Sequence, residues 1–260
     1  SEQPPRFIVM DYRPAGRVGK TIAIIGKGIT FDAGGISIKP AQGMEQMKYD
    51  MAGGAAAINI VGLASELKLP LRVISLVPAT ENLPSGKALK PGDIIRMYSG
   101  KNVEVVNTDA EGRLILADAL AYAQKYRPNV IIDLATLTGA CVVALGNEAA
   151  GALGNDRGLM EDVKKAAEAS GERVWELPLW KEYDELMKSD VADIKNAGGR
   201  EAGTIQGAVF LKQFVDKTPW VHLDIAGTAW LEKEKDYLCK GATGFGIRLL
   251  AQLFSDWTGL

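Results

Sequence analysis

The chain has 260 residues, 47% hydrophobic and 24% charged, with 30 basic against 32 acidic side chains and a net charge of −2. That composition fits one large or two small globular domains. It lacks the basic excess of a nucleic-acid surface and nowhere reaches the ~18 uninterrupted apolar residues of a membrane span. A single histidine, His222, excludes HExxH helices, Cys2His2 fingers and three-histidine zinc sites; no G-x-S-x-G elbow is present to build a serine triad around it.

In chain order, β-rich apolar runs alternate with segments of helical period. The N-terminus, Ser1-Glu2-Gln3-Pro4-Pro5-Arg6, lacks a signal-peptide layout. Strands are expected at Phe7–Met10 and Thr21–Ile25, a helix over Met47–Leu67, and strands at Arg72–Val77 and Val103–Asn107. A helix over Leu114–Tyr126 and a strand at Val130–Leu134 follow. Next come helices over Leu159–Ser170, Lys181–Lys188 and Gly203–Phe214, a strand at Trp220–Ile225 and a helix over Gly244–Phe254. Runs such as Ile22-Ala23-Ile24-Ile25 are apolar at every position, which predicts burial on both faces. The expected fold is one α/β domain over residues 1–260, with a central mixed, largely parallel β-sheet covered by helices on both faces. The two cysteines, Cys141 and Cys239, lie far apart inside apolar stretches, which predicts core thiols in a reducing, cytoplasmic setting.

In an open α/β sheet, ligands lie beyond the carboxyl ends of the strands. Lys27 directly follows an apolar run between two glycines; Asp32, Gly34-Gly35 and Lys39 come after it. Asp50 sits where a small-residue helix opens, in the position of a helix cap. Asn107-Thr108-Asp109-Ala110-Glu111-Gly112-Arg113 follows another strand, and in an extended backbone Asp109, Glu111 and Arg113 would share a face. Gly19-Lys20-Thr21 does not make a phosphate loop, because Pro14 replaces the first glycine and the lysine precedes its strand. Four carboxylates at one sheet edge repel unless neutralised, and one or two divalent cations would neutralise them and open hydrolytic chemistry. The plainer alternative makes each a cap, a turn residue or half of a surface ion pair.

GKGITFDAGGISIK, MKYDMAGG and NTDAEGRLILADAL, in this order, resemble the leucine (cytosol) aminopeptidase family of two-metal exopeptidases. The resemblance continues through Leu134–Gly139 and His222–Trp230 and covers essentially the whole chain. It implies metal ligation by Lys27, Asp32, Asp50, Asp109 and Glu111, with Lys39 and Arg113 as the catalytic pair and no departure at these positions. Asp32 and Glu111 would bridge two divalent ions, drawn from zinc, manganese, magnesium or cobalt. Lys27 would ligate as a neutral amine, which requires its pKa to be pushed far down. The ions would activate a water as nucleophile and bind the free α-amine of the substrate, Lys39 would polarise the scissile carbonyl, and Arg113 would hold a bicarbonate as proton shuttle. Met47, Asn107, Thr136, Leu137 and Gly139 match substrate-pocket positions, implying an aliphatic first residue on a peptide with a free N-terminus. The resemblance also implies a homohexamer, and an N-terminal domain absent from this chain through truncation, processing or a natural short form. A two-metal phosphoesterase or an inactive scaffold are the rival readings.

His222 reads as a hydrogen-bonded core residue, with Asp224 as support behind the site. Asn196–Gly203 reads as a glycine-rich loop near it.

Overall fold

A computed structural model describes residues 1–16 and 18–259 of the chain. The strands are β1 (Arg6–Tyr12), β2 (Thr21–Gly26), β3 (Gly28–Asp32), β4 (Arg72–Asn82), β5 (Asp93–Arg96), β6 (Asn102–Val105) and β7 (Val130–Ala135). They continue with β8 (Ala150–Gly154), β9 (Val174–Glu176), β10 (Ile194–Lys195) and β11 (Trp220–Asp224). The helices are α1 (Ala52–Glu66), α2 (Glu111–Ala123), α3 (Gly139–Leu145), α4 (Arg157–Ser170), α5 (Gly203–Lys212) and α6 (Ile247–Thr258).

Among the described residues the main sheet has eight strands, running β1-β4-β2-β7-β11-β8-β9 with β3 added alongside β4. β4, β2, β7 and β11 run parallel to one another, whereas β1 and β8 are antiparallel to their neighbours β4 and β11. This is the mixed, largely parallel sheet that the unbroken apolar runs predict. All six residues of β7 and all five of β11 are buried.

Because side chains alternate across a strand, each face gathers its own core. Ile22, Ile24, Ile132, Leu134, Val221 and Leu223 pack under α1, α4 and α6. Ala23, Ile25, Ile131, Leu153 and Trp220 pack under α2 and α5. Burying a side chain of this size stabilises the fold by ~1.5–3 kcal/mol, so the two cores hold the parallel strand ends in fixed register. A small second sheet, β10-β6-β5, flanks the α2 side.

Cys141 is buried as expected, but Cys239 is exposed and not a core thiol. Three further expectations need correction. The single helix expected over Met47–Leu67 is a 3₁₀ turn, Met44–Tyr49, followed by α1. Asp50 does not cap α1; its carboxylate is drawn to Lys27 and Thr136, partners a helix N-terminus cannot match in charge. Nor is Asp109–Arg113 extended: β6 ends at Val105, Asn107–Ala110 turns, and Glu111 begins α2. A turn leading into a helix, not strand alternation, brings these side chains together.

Candidate metal centre and catalytic cleft

β2, β7, β11 and β4 deliver their carboxyl ends to one edge of the sheet. Lys27 leaves β2, Thr136 and Leu137 leave β7, Asp224 ends β11 and Asn82 ends β4. α1 lies so close above that edge that a Cβ on Gly53 would stand 2.0 Å from the Leu134 carbonyl oxygen. Only a glycine fits there, and its small neighbours let Asp50 approach Lys27.

The charged groups interlock. Lys27 Nζ lies 2.8 Å from Asp50 Oδ2 and 2.8 Å from Glu111 Oε1 and donates to the Thr136 carbonyl at 3.1 Å. Lys39 Nζ lies 2.9 Å from Asp32 Oδ2 and 2.5 Å from Asp109 Oδ1. Ligand oxygens of Asp32, Asp109 and Glu111 sit within 4.8 Å of one another. Lys27, Asp32 and Asp50 are at most 5% exposed, so these charges meet in a medium far less screening than water.

Burial works to lower the Lys27 pKa, yet Asp50, Glu111 and Asp32 outweigh it and hold the ammonium above its ordinary value. Lys39 is raised too, by Asp32 and Asp109 against burial. Burial pushes Asp50 and Glu111 upward while Lys27 pulls against it. Arg113, 7% exposed, is pulled down to about 10 by burial, with Glu111 and Asp224 opposing.

The donor set suits divalent cations. Four carboxylates face two ammonium groups, leaving excess negative charge. Asp50 Oδ2, Asp109 Oδ1 and Glu111 Oε1 are buried and, though within ion-pair reach of the lysines, accept no hydrogen bond of good geometry. Such oxygens are costly to bury and are natural ligands for a hard or borderline ion. An amine joins them only as the neutral base, so a cation beside Lys27 would have to displace its proton. The lowered pKa that a neutral Lys27 amine requires is thus favoured by burial but opposed by a stronger carboxylate field.

Beside the cluster opens a cleft of about 570 Å³. Lys27, Asp32, Lys39, Asp50, Asp109 and Arg113 line one part of it. Met47, Asn107, Thr136, Leu137 and Gly139, the predicted pocket residues, line the rest. Glu111 is the exception. It borders a separate cavity of about 330 Å³ behind the cluster and meets the others through Lys27.

Of the supporting residues, Asn82 and Thr108 escape sequence reasoning, whereas Asp224 is anticipated by it. Asn82 Nδ2 donates to Asp32 Oδ1 at 2.8 Å and to the Thr108 carbonyl at 3.0 Å, with Glu111 Oε2 at 3.5 Å. Its signal, a polar residue following an apolar run, is blurred because β4 continues to Asn82 instead of stopping at Val77. Thr108 ties two loops together, donating to the Gly34 carbonyl at 2.6 Å and accepting from Ser37 N at 2.8 Å. Asp224 accepts from Leu137 N at 3.1 Å and from Thr138 Oγ1 at 2.6 Å, fixing the loop after β7.

His222 is a core residue, as expected. Fully buried, its Nδ1 lies 2.6 Å from Asp133 Oδ1 across the β7–β11 ladder, and Trp220 Nε1 donates to the other carboxylate oxygen at 2.7 Å. Burial acts to lower its pKa and Asp133 overrides that, holding it above the ordinary value.

Residues 1–251 match the sequence pattern described as "Cytosol aminopeptidase family, catalytic domain". The chain belongs to that family. Among its relatives, a probable cytosol aminopeptidase of Geobacter sp. (strain M21) is 61% identical over 250 residues, covering 96% of this chain and 51% of the relative. One from Chlorobaculum tepidum is 61% identical over 260 residues, covering 99% and 51%. The chain therefore spans about half the length of the curated relatives it matches. Among solved structures, the bottromycin maturation enzyme BotP superposes with a TM-score of 0.94 at 39% identity, over 100% of this chain and 56% of BotP. A second BotP structure, also at 0.94 and 39%, is a complex with Mn and covers 99% and 57%. These likenesses span the cytosol aminopeptidase fold from β1 to α6.

Proposed function

We propose that this chain carries the catalytic centre of an aminopeptidase that hydrolyses the N-terminal residue, preferentially leucine or another aliphatic one, from peptides with a free amine. The observation that carries the reading is the packing of Lys27, Asp32, Asp50, Asp109 and Glu111 against one another beside Lys39 and Arg113, with all of these but Glu111 in the wall of a half-apolar cleft. Family membership supports it.

Lys27, Asp32, Asp50, Asp109 and Glu111 would hold two divalent ions, zinc or manganese and alternatively magnesium or cobalt. Those ions, when bound, supply Lewis acidity and an activated water nucleophile. The protein's own groups do the rest. The substrate's first side chain would lie in the cleft that Met47, Asn107, Thr136, Leu137 and Gly139 line. Lys39, kept cationic by Asp32 and Asp109, donates to the scissile carbonyl oxygen and stabilises charge developing there. Arg113 spends Nη1 on the Asn196 carbonyl at 2.8 Å, and among the described residues its Nε has no partner. The rest of its fork can grip a planar anion in bidentate fashion. Arg113 would hold a bicarbonate there, which would supply a proton shuttle between the nucleophilic water and the leaving amine.

A homohexamer in the cytoplasm completes the reading. Exposed Val142, Val143, Trp175 and Trp180 supply apolar surface for contact between copies. No helix among the described residues is long and apolar enough to cross a membrane.

The test is release of a chromophore from leucine p-nitroanilide by protein loaded with Mn²⁺, beside the N-acetylated analogue. Turnover of the free amine alone is expected. Equal turnover of both would remove the amine requirement, and phosphate release from a model ester with neither amide cleaved would favour a two-metal phosphoesterase.

A further inference from the structure

Asn196 is fully buried although its side chain is wholly polar, and every polar atom of that side chain is directed at one loop. β10 runs parallel to β6, with Ile194 opposite Val103 and Lys195 opposite Glu104, and Asn196 N extends the ladder by donating to the Glu104 carbonyl at 2.9 Å. The ladder stops there because β6 ends at Val105. Past that point the Asn196 side chain replaces it. Its Oδ1 accepts from Val106 N at 2.9 Å and Asn107 N at 3.3 Å. Its Nδ2 donates to the Asn107 carbonyl at 2.6 Å and the Ala110 carbonyl at 3.3 Å. The main-chain carbonyl of the same residue accepts from Arg113 Nη1 at 2.8 Å.

We propose that Asn196 is a positioning residue for the reaction, one side chain and one carbonyl that together set the turn presenting Asp109 and Glu111 and the guanidinium of Arg113. This rests on the aminopeptidase reading of the site. Asn107–Ala110 has few ladder partners of its own, so without Asn196 its direction is held mainly by the Asn107 Oδ1 contact to Asp109 N (2.9 Å) and by Thr108. An amide is required because the loop offers both N–H and C=O groups to a single side chain. Gln206 does the same for the following loop, accepting from Gly198 N at 2.8 Å and donating to the Gly199 carbonyl at 3.1 Å. The segment from Asn196 to Gly199 is therefore fixed from both ends, which makes it a rigid support for the arginine.

The near-isosteric Asn196→Asp separates positioning from bulk packing. It keeps the volume and the acceptor but turns two donors into an oxygen facing the Asn107 and Ala110 carbonyls. Asn59→Ala, which removes an exposed side-chain amide bonded to the Ala55 carbonyl at 2.8 Å, is the control. We expect Asn196→Asp to bind Mn²⁺ ~10–100-fold more weakly by calorimetry, with kcat on leucine p-nitroanilide falling by the same order and KM nearly unchanged. In the metal-free protein, amide exchange should quicken at residues 106–110 and stay slow in β7. Wild-type Mn²⁺ affinity together with unchanged exchange at 106–110 would overturn the proposal, and so would exchange raised equally in β7, which would mean general loosening. If the wild-type protein cleaves no amide, the functional reading fails, while the exchange and Mn²⁺ comparison still decides the role of Asn196.

Discussion

Gly112 sits directly against the Lys27 side chain: a Cβ built there would lie 2.6 Å from Lys27 Cε and 2.8 Å from Nζ. The first turn of α2 is thus glycine where it passes the amine, flanked by Glu111, which pairs with Lys27, and Arg113, which lines the cleft. Gly112→Ala should fold, since alanine suits a helix, but must push Nζ away from Asp50 and Glu111. The expected outcome is a ~10–100-fold loss of Mn²⁺ affinity with little change in melting temperature, read by calorimetry and thermal unfolding.

Asp224 holds the loop after β7 by accepting from the Leu137 and Thr138 main-chain amides and the Thr138 hydroxyl. Asp224→Asn presents an N–H to at least one of those donors. A buried donor left unsatisfied costs ~1–3 kcal/mol, so urea unfolding should report a loss of that order. KM for leucine p-nitroanilide should rise because Leu137 lines the cleft.

Glu172 caps α6 from outside the helix. Its Oε2 accepts from Gly246 N at 2.9 Å and Leu249 N at 2.8 Å, and its Oε1 lies 2.9 Å from Arg248. Glu172→Ala leaves those amides unpaired in a buried setting and should cost ~1–3 kcal/mol in urea unfolding. Glu172→Gln should recover part of that, because its carbonyl oxygen still accepts. Neither should alter KM, since α6 lies on the sheet face away from α2.

Much of the fold is legible in the chain because the buried parallel strands are apolar at every position. β2, β7 and β11 fall within a residue of where the apolar runs place them. β8 is missed because Ala-Gly-Ala-Leu-Gly has no β-branched residue; small side chains are needed there, where a Cβ on Gly154 would meet the Trp220 carbonyl at 2.6 Å. The residues gathered at the site are legible because Lys27 directly follows β2, Asp32 ends β3 and the Asp109–Arg113 stretch comes shortly after β6. Asn82 and Asn196 act through contacts 26 to 90 positions away in sequence, and local pattern carries no trace of such partners.

Asp11 accepts a bidentate pair of hydrogen bonds from Arg72, at 2.9 and 2.7 Å, and with partial burial opposing, the guanidinium lowers its pKa from 3.8 to about 2. A carboxylate depressed on folding adds stability that is complete above its unfolded value and disappears as pH falls through its folded one. Asp11→Asn should therefore lower the melting temperature at pH 7, and the gap from wild type should close between about pH 4 and pH 2. Thermal unfolding across that range checks it.

Lys27, Asp32, Asp50, Asp109 and Glu111 are proposed to hold a pair of divalent ions. Anomalous diffraction from crystals grown with Mn²⁺ reads this directly. Two peaks are predicted, both between Lys27, Asp32, Asp50, Asp109 and Glu111. A map without anomalous density among those side chains, at a Mn²⁺ concentration that supports amide cleavage in solution, would contradict it.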